Sequence, residues 1–302
     1  MRIKRLKQKI WQRRGVWMGA IGVASIVLAL RFAGLLQSWE WAVLDQFFRW
    51  RPAQLPDQRI LIVGITESDL RYVGQWPVND AILAKLIEKL KASNPRAIGL
   101  DLYRDLPVPP GTQALRDVFK STPNLIGIEK KVEDSQSNAT APPPILKQLG
   151  QVGANDVVPD ADGKIRRGLL FLTPESEPPL PSLGLTLALI YLKHQGIAPT
   201  ADVNGFMKLD KTVFVPFEKN DGGYVRADAG GYQILLNFKG NSSFETVSLT
   251  EVLQNKVPPS LVRDRIVLIG SVAPSLKDLF YTPFSNDWLP SPKQSSGVEI
   301  QA

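Results

Sequence analysis

The sequence predicts an α/β fold: a single domain with a mixed, largely parallel sheet flanked by helices, preceded by one transmembrane helix. Three observations carry this. Apolar runs of strand length recur at 59–65 (RILIVGI), 97–102 (AIGLDL) and 265–270 (RIVLIG), and continuous apolar runs suit strands buried on both faces. Segments with helical periodicity alternate with them, as in a sheet covered by helices. An uncharged stretch of bilayer length follows a cluster of cations at the N-terminus.

The charge belongs to that cluster. The first fourteen residues hold Arg2, Lys4, Arg5, Lys7, Lys9, Arg13 and Arg14 and no acid. They account for the whole net charge of +7, so residues 15–302 are neutral. Nucleic-acid binders show a basic face on the fold itself, so a nucleic-acid partner is not expected. Residues 15–36 are apolar except for Arg31, which lies close enough to one end to snorkel. Trp17 and Trp39 stand near the two ends, where an aromatic belt would lie. Cations on one flank place that flank in the cytoplasm. The expected order is a basic cytoplasmic tail over 1–14, a transmembrane helix over 15–36, and an extracytoplasmic domain over 37–302. The location is the plasma (inner) membrane. A cleaved secretory signal fits less well, because the core is long and no small-x-small site follows. A soluble core helix would not need seven cations before it.

The chain has no cysteine and one histidine, His194. Thiolate metal sites and cysteine nucleophiles are excluded, and the outer domain must be held by its core rather than by disulfides.

Along the chain, residues 39–50 read as a short amphipathic helix with Trp41, Leu44, Phe47 and Phe48 at helical spacing. Pro52 and Pro56 break it. Strand 59–65 follows. Asn79 or Asp80 caps a helix whose stripe is Ile82, Leu83, Leu86, Ile87 and Leu90. Strand 97–102 completes a βαβ unit with a right-handed crossover. A helix at about 112–121 and a strand at 125–128 extend it. Residues 131–144 read as an exposed loop. Two strands within 151–172 flank a turn at Asp160-Ala161-Asp162-Gly163. Ser182 caps a helix to about Gln195, closed by Gly196. Strands at 212–217 and 232–238, a short helix at 249–253 and strand 265–270 complete the order.

Candidate ligand residues gather at strand ends. Asp101 ends a buried strand, and open α/β sheets bind ligands at that edge. Glu67 and Asp69 follow the first strand, and Asp278 follows the last. Two or three converging carboxylates could hold a cation or a polar ligand. Alternatively Asp101 caps a loop or pairs with Arg104. Trp76-Pro77, before the helix cap, is a packing plug or a ligand platform. Gly270-Ser271 suggests a phosphate turn, but neither dinucleotide nor P-loop spacing is present, so packing is preferred. Asp160 to Gly163 opens like a calcium loop, yet the twelfth position is Phe171, so a hairpin turn is preferred. No metal site, cofactor or catalytic residue is assigned.

Several long, ordered stretches carry a resemblance: RILIVGITESDL at 59–70, GQWP at 74–77, PRAIGLDLYRDLPVPPG at 95–111, DADGKIRRGLLF at 160–171, GGYQILLNFKG at 230–240, DRIVLIGSVAPSLKDLFYTPFS at 264–285 and GVEIQA at 297–302. Over roughly 40–302 the chain resembles the CHASE2 family, and its cyanobacterial members most. The resemblance implies a non-enzymatic, extracytoplasmic signal-input domain. Such domains are followed by further transmembrane helices and a cytoplasmic cyclase or kinase, which this chain, ending at Ala302, does not contain. The family often shows Trp-Pro-Trp-x-Arg where this chain has Trp76-Pro77-Val78-Asn79-Asp80. The residues singled out as ligand-binding are Asp101, Asp278, Glu67, Asp69, Trp76 and Arg104. The partners are the membrane, an unknown small-molecule or protein signal, and a second copy in a homodimer. The alternatives are a membrane-anchored scaffold using residues 39–50 and an exported α/β enzyme.

Overall fold

The computed structural model describes residues 14–52, 54–133, 138–173, 178–240, 244–285 and 293–302. Most of the basic tail and part of the 131–144 loop lie outside the described residues. The chain forms two compact units, Met1–Phe47 with Glu218–Ala229, and Phe48–Phe217 with Gly230–Ala302.

In the first unit, helix α1 (Arg14–Phe32) ends four residues before the apolar run does. Gly34 adopts φ +82°, a left-handed conformation glycine takes at no steric cost. The chain then enters α2 (Gln37–Trp50). Among the described residues no single helix is long and apolar enough to cross a membrane. The pair Val16–Phe32 and Gln37–Trp50, bent by 86°, passes by length and composition together. Arg31 ion-pairs with Glu40 at 2.9 Å and donates to the Gly222 carbonyl. The Gln37 side-chain carbonyl accepts from the Val225 amide at 2.7 Å, and the buried rings of Trp41 and Tyr224 lie 5.2 Å apart.

The second unit is built on a six-stranded sheet, in order β12-β1-β13-β2-β3-β4. These strands are β1 (Ile60–Ile65), β2 (Ala97–Asp101), β3 (Leu125–Glu129), β4 (Val152–Ala154), β12 (Glu245–Ser248) and β13 (Ile266–Ser271). Every pairing among them is parallel. The sheet is parallel because each connection crosses over through helices on a face. β13 lies between β1 and β2, so the first crossover spans a strand that begins 165 residues after β2 ends (266 − 101).

Strand alternation separates two cores. Leu61, Val63 and Ile65 of β1, with Ile98 and Leu100 of β2, meet α4 (Asp80–Lys91) and α5 (Thr112–Lys120). α6 (Pro144–Gln148) and α8 (Leu249–Leu253) join this layer. Pro143 is therefore buried at the start of a helix rather than exposed in a loop. On the opposite face Ile62, Ile126 and Leu268 meet Leu183 and Leu187 of α7 (Leu183–Lys193) and Val298 of α10 (Gly297–Gln301). The caps fall where local chemistry places them: the Asn79 side chain accepts from the Ile82 amide at 3.0 Å, and that of Ser182 from the Leu185 amide at 3.2 Å. The remaining helices are α3 (Glu67–Val73) and α9 (Pro259–Val262).

Smaller antiparallel sheets surround this core. β5 (Val158–Pro159), β6 (Ile165–Leu172) and β11 (Tyr232–Leu235) form one, with β7 (Leu180–Pro181) also on β6. β8 (Pro199–Ala201), β9 (Met207–Leu209) and β10 (Thr212–Val213) form a meander. β14 (Leu279–Phe280) pairs with β15 (Ser295–Ser296). The strands expected at 212–217 and 232–238 are thus shorter in the fold. The turn at 160–163 is a hairpin: Asp160 accepts from Arg166 and Arg167, at 2.8 Å in each ion pair, and Asp162 from Arg166 at 2.7 Å. Both of its carboxylates are bound to arginines.

Candidate functional site

Because the central sheet is parallel, the carboxyl ends of all its strands share one edge. Asp101 closes β2 and stands opposite Gly270 of β13, so Ser271 follows beside it. Asn155 follows β4 and is held there by its amide, which donates to the Glu129 carbonyl at 2.9 Å. Tyr103 lies two residues past β2. A 3-10 turn (Pro274–Leu276) after β13 leads to Asp278.

Asp278 lies against the start of α10. Its carbonyl accepts from the Gly297 amide at 3.1 Å. A Cβ on Gly297 would fall 2.6 and 2.7 Å from the two Asp278 carboxylate oxygens, so only glycine admits this approach. From the other end of α10, the Gln301 amide donates to the Asn155 side-chain carbonyl at 2.7 Å. Asn155 in turn approaches the Tyr103 hydroxyl, at 3.5 Å. The last helix is thereby held at both ends by residues of this edge.

The electrostatics favour an uncharged acid. Burial, then repulsion from Asp278, pushes the Asp101 carboxyl up to about 8, against a side-chain hydrogen bond with Asn155. Burial also raises Asp278. It raises the Tyr103 phenol too, and the nearby carboxylates add to that. The Ser271 hydroxyl is buried without a hydrogen-bond partner among the described residues. This edge therefore offers two carboxyl groups, one of them held as an acid, with a phenol, an amide and a hydroxyl. That set recognises a polar ligand by hydrogen bonds.

The six sequence candidates separate. Asp101 and Asp278 lie close enough for Asp278 to raise the Asp101 pKa. Glu67 binds the turn instead, accepting from the Ser275 amide at 2.8 Å, and that hydrogen bond lowers its pKa. Asp69 is taken up by capping. It accepts from the Thr66 amide at 2.8 Å and from the Thr250 amide and hydroxyl, joining α3 to α8. Burial raises its pKa, but these hydrogen bonds outweigh that and the net shift is downward. Trp76 is 42 % exposed in the loop before α4. Arg104 does not pair with Asp101. It is buried, donates to the Val78 carbonyl at 2.6 Å and faces Asp80 electrostatically. Gly270 is a packing position: a Cβ there would lie 2.6 Å from Val298 Cβ.

Asn155, Tyr103 and Gln301 were not among the sequence candidates, and Ser271 was noted only as part of the Gly270-Ser271 packing turn. A signal for Tyr103 and Ser271 was present, since both fall at or just past a strand end. Asn155 needed the pairing of a three-residue strand, and Gln301 needed the return of the C-terminal helix. Among the described residues, no group of three or more histidine, aspartate or glutamate side chains could hold a metal ion. His194 is exposed at the end of α7, remote in sequence from this edge.

No curated protein and no solved structure matches the chain. Residues 22–302 match the CHASE2 domain. This match covers the sheet, both helical layers and the carboxyl edge: the chain belongs to the CHASE2 domain family, whose members are extracytoplasmic sensor domains.

Proposed function

We propose that this chain is the non-enzymatic signal-input part of a membrane receptor. Its basic tail is cytoplasmic, its apolar helix α1 holds it in the plasma membrane, and residues 37–302 face outward. A small-molecule or protein signal binds at the carboxyl edge, at Asp101 and Asp278, and α10 carries the change onward to a cytoplasmic cyclase or kinase. The observation that carries the reading is the double attachment of α10 to that edge, through Asp278 and through Gln301. A ligand that alters the Asp101–Asp278 pair alters the seat of the last helix. It shifts the equilibrium only by its differential affinity for the two seats.

Membrane attachment is supported by α1. From Val16 to Phe32 its large apolar side chains are exposed, with Val16, Trp17, Met18 and Phe32 each more than 60 % open. A helix apolar on all sides is stable only in an apolar medium. Seven cations before it favour a cytoplasmic tail.

The absence of cysteine permits a direct test. A single cysteine is introduced as Gln8→Cys or as Lys120→Cys, and intact cells are treated with a membrane-impermeant maleimide. Labelling at position 120 in intact cells, and at position 8 only after permeabilisation, is expected. The opposite pattern would overturn the orientation.

A further inference from the structure

The helix that follows α1 keeps its charges away from its exposed side. α2 has three charged residues, Glu40, Asp45 and Arg49. Glu40 ion-pairs with Arg31 at 2.9 Å. Asp45 is buried. Arg49 donates to the Pro283 carbonyl at 2.9 Å. A helix side that meets water ordinarily carries such residues. The exposed side of α2 carries none. Trp39, Val43 and Phe47 succeed one another at four-residue spacing, and Trp50 follows three residues on. Residues three and four apart share one side of a helix. Each of these four is more than half exposed.

The first unit shows which way this stripe faces. The other side of α2 is already covered: Gln37 accepts from the Val225 amide, and the Trp41 ring lies against Tyr224. Trp41 stands about 200° round the helix from Trp39, at 3.6 residues per turn. Both contacts are made by Glu218–Ala229, which belong to the part of the chain that faces outward. The covered side of α2 is therefore its outward side, and the stripe is turned the opposite way.

The bend supplies the rest of the geometry. α2 is turned from α1 by 86°. With α1 across the bilayer, α2 lies near the membrane plane and its stripe meets the lipid. Phe32 and Leu35, exposed on either side of the turn at Gly34, continue the apolar surface. Val16–Phe32 alone is short for a full span, and a short span keeps the residues that flank it at the interface. Tryptophan is enriched at that depth, and Trp39 and Trp50 stand at the two ends of the stripe.

We propose that α2 is an interfacial helix: it lies flat on the outer leaflet, with Trp39, Val43, Phe47 and Trp50 sunk between the headgroups and the upper acyl chains. The partner is the bilayer surface itself, engaged by apolar burial rather than by charge. This inference rests on the reading of α1 as the membrane anchor, and the test separates the two.

The test is spin labelling of the full chain, which has no native cysteine, in phosphatidylcholine nanodiscs. A nitroxide is attached at Val43→Cys or Phe47→Cys on the stripe, at Val23→Cys within α1, and at Lys120→Cys on the outer domain, all of them exposed positions. Power saturation then compares collisions with oxygen, which partitions into lipid, and with a water-soluble nickel chelate. Labels at 43 and 47 should favour oxygen and report an immersion of about 5–10 Å. The label at 23 should lie deeper, and the label at 120 should favour nickel. Nickel access at 43 and 47 equal to that at 120, with position 23 deep, would overturn the proposal and leave α1 as the anchor. Labels at 43 and 47 shielded from both reagents would put a protein surface on the stripe, a second copy included, and overturn it equally. Nickel access at 23 would overturn the anchor and this inference together.

Discussion

At the scale of single residues, Asp101 is held as an acid by burial and by Asp278. Its folded pKa is raised to about 8 from the ordinary 3.8 of an aspartate. Between those values the folded chain keeps a proton that the unfolded chain has lost. Stability contributed by this group is therefore complete below the lower value and is lost as pH rises through the upper one. The slope for one such group is at most about 1.4 kcal/mol per pH unit. Thermal melting between about pH 5 and about pH 8.5 should show the wild type losing stability as pH rises, and Asp101→Asn losing distinctly less. Parallel curves would mean that Asp101 titrates normally. The sequence pointed to Asp101 because a carboxylate at the end of an apolar strand is legible. It did not separate Asp69 from Asp101, since both follow strands. The difference is that Asp69 sits at the third position of a helix capped by Thr66, where a carboxylate closes a capping box.

At the scale of elements, strands and helices with strong periodicity were legible: β1, β2, β13, α4 and α7 lie within two residues of their sequence assignments. Short strands were not. Val152–Ala154 has three residues, too few to show a period, yet it forms the sheet edge that positions Asn155. The end of α1 was misplaced because the apolar run continues through the turn at Gly34. Burial by the bilayer and helix formation are separate requirements, and apolar composition reports only the first. The alternative in which Asp101 pairs with Arg104 fails for a related reason: proximity in sequence to Asp101 does not reveal that the loop folds back toward α4. The seat of α10 gives an element-level prediction. Gly270→Ala places a methyl 2.6 Å from Val298 Cβ, which is fixed to its backbone, so the helix must move. Overpacking of this kind costs about 1–3 kcal/mol. Hydrogen exchange should show protection lost at residues 295–302 while β1, β2 and β13 keep theirs. Uniform loss across the sheet would show that the helix is not a separately seated element.

At the scale of the whole molecule, fold class, family and the confinement of the net charge to the first fourteen residues were readable from sequence. The strand order was not, because β13 enters between β1 and β2 only after the whole intervening chain. That insertion brings Ser271 and Asp278 beside Asp101, so the site depends on topology that local sequence does not encode. The central claim is that the outer domain reads a signal at this edge and passes it to its last helix. Hydrogen exchange of the full chain in nanodiscs, at about pH 6 and about pH 9, switches Asp101 between acid and carboxylate without any ligand. After correction for intrinsic rates, residues 297–301 in the wild type should lose protection at the higher pH, and in Asp101→Asn they should change far less. Protection of α10 that stays the same at both pH values in both proteins would contradict the claim.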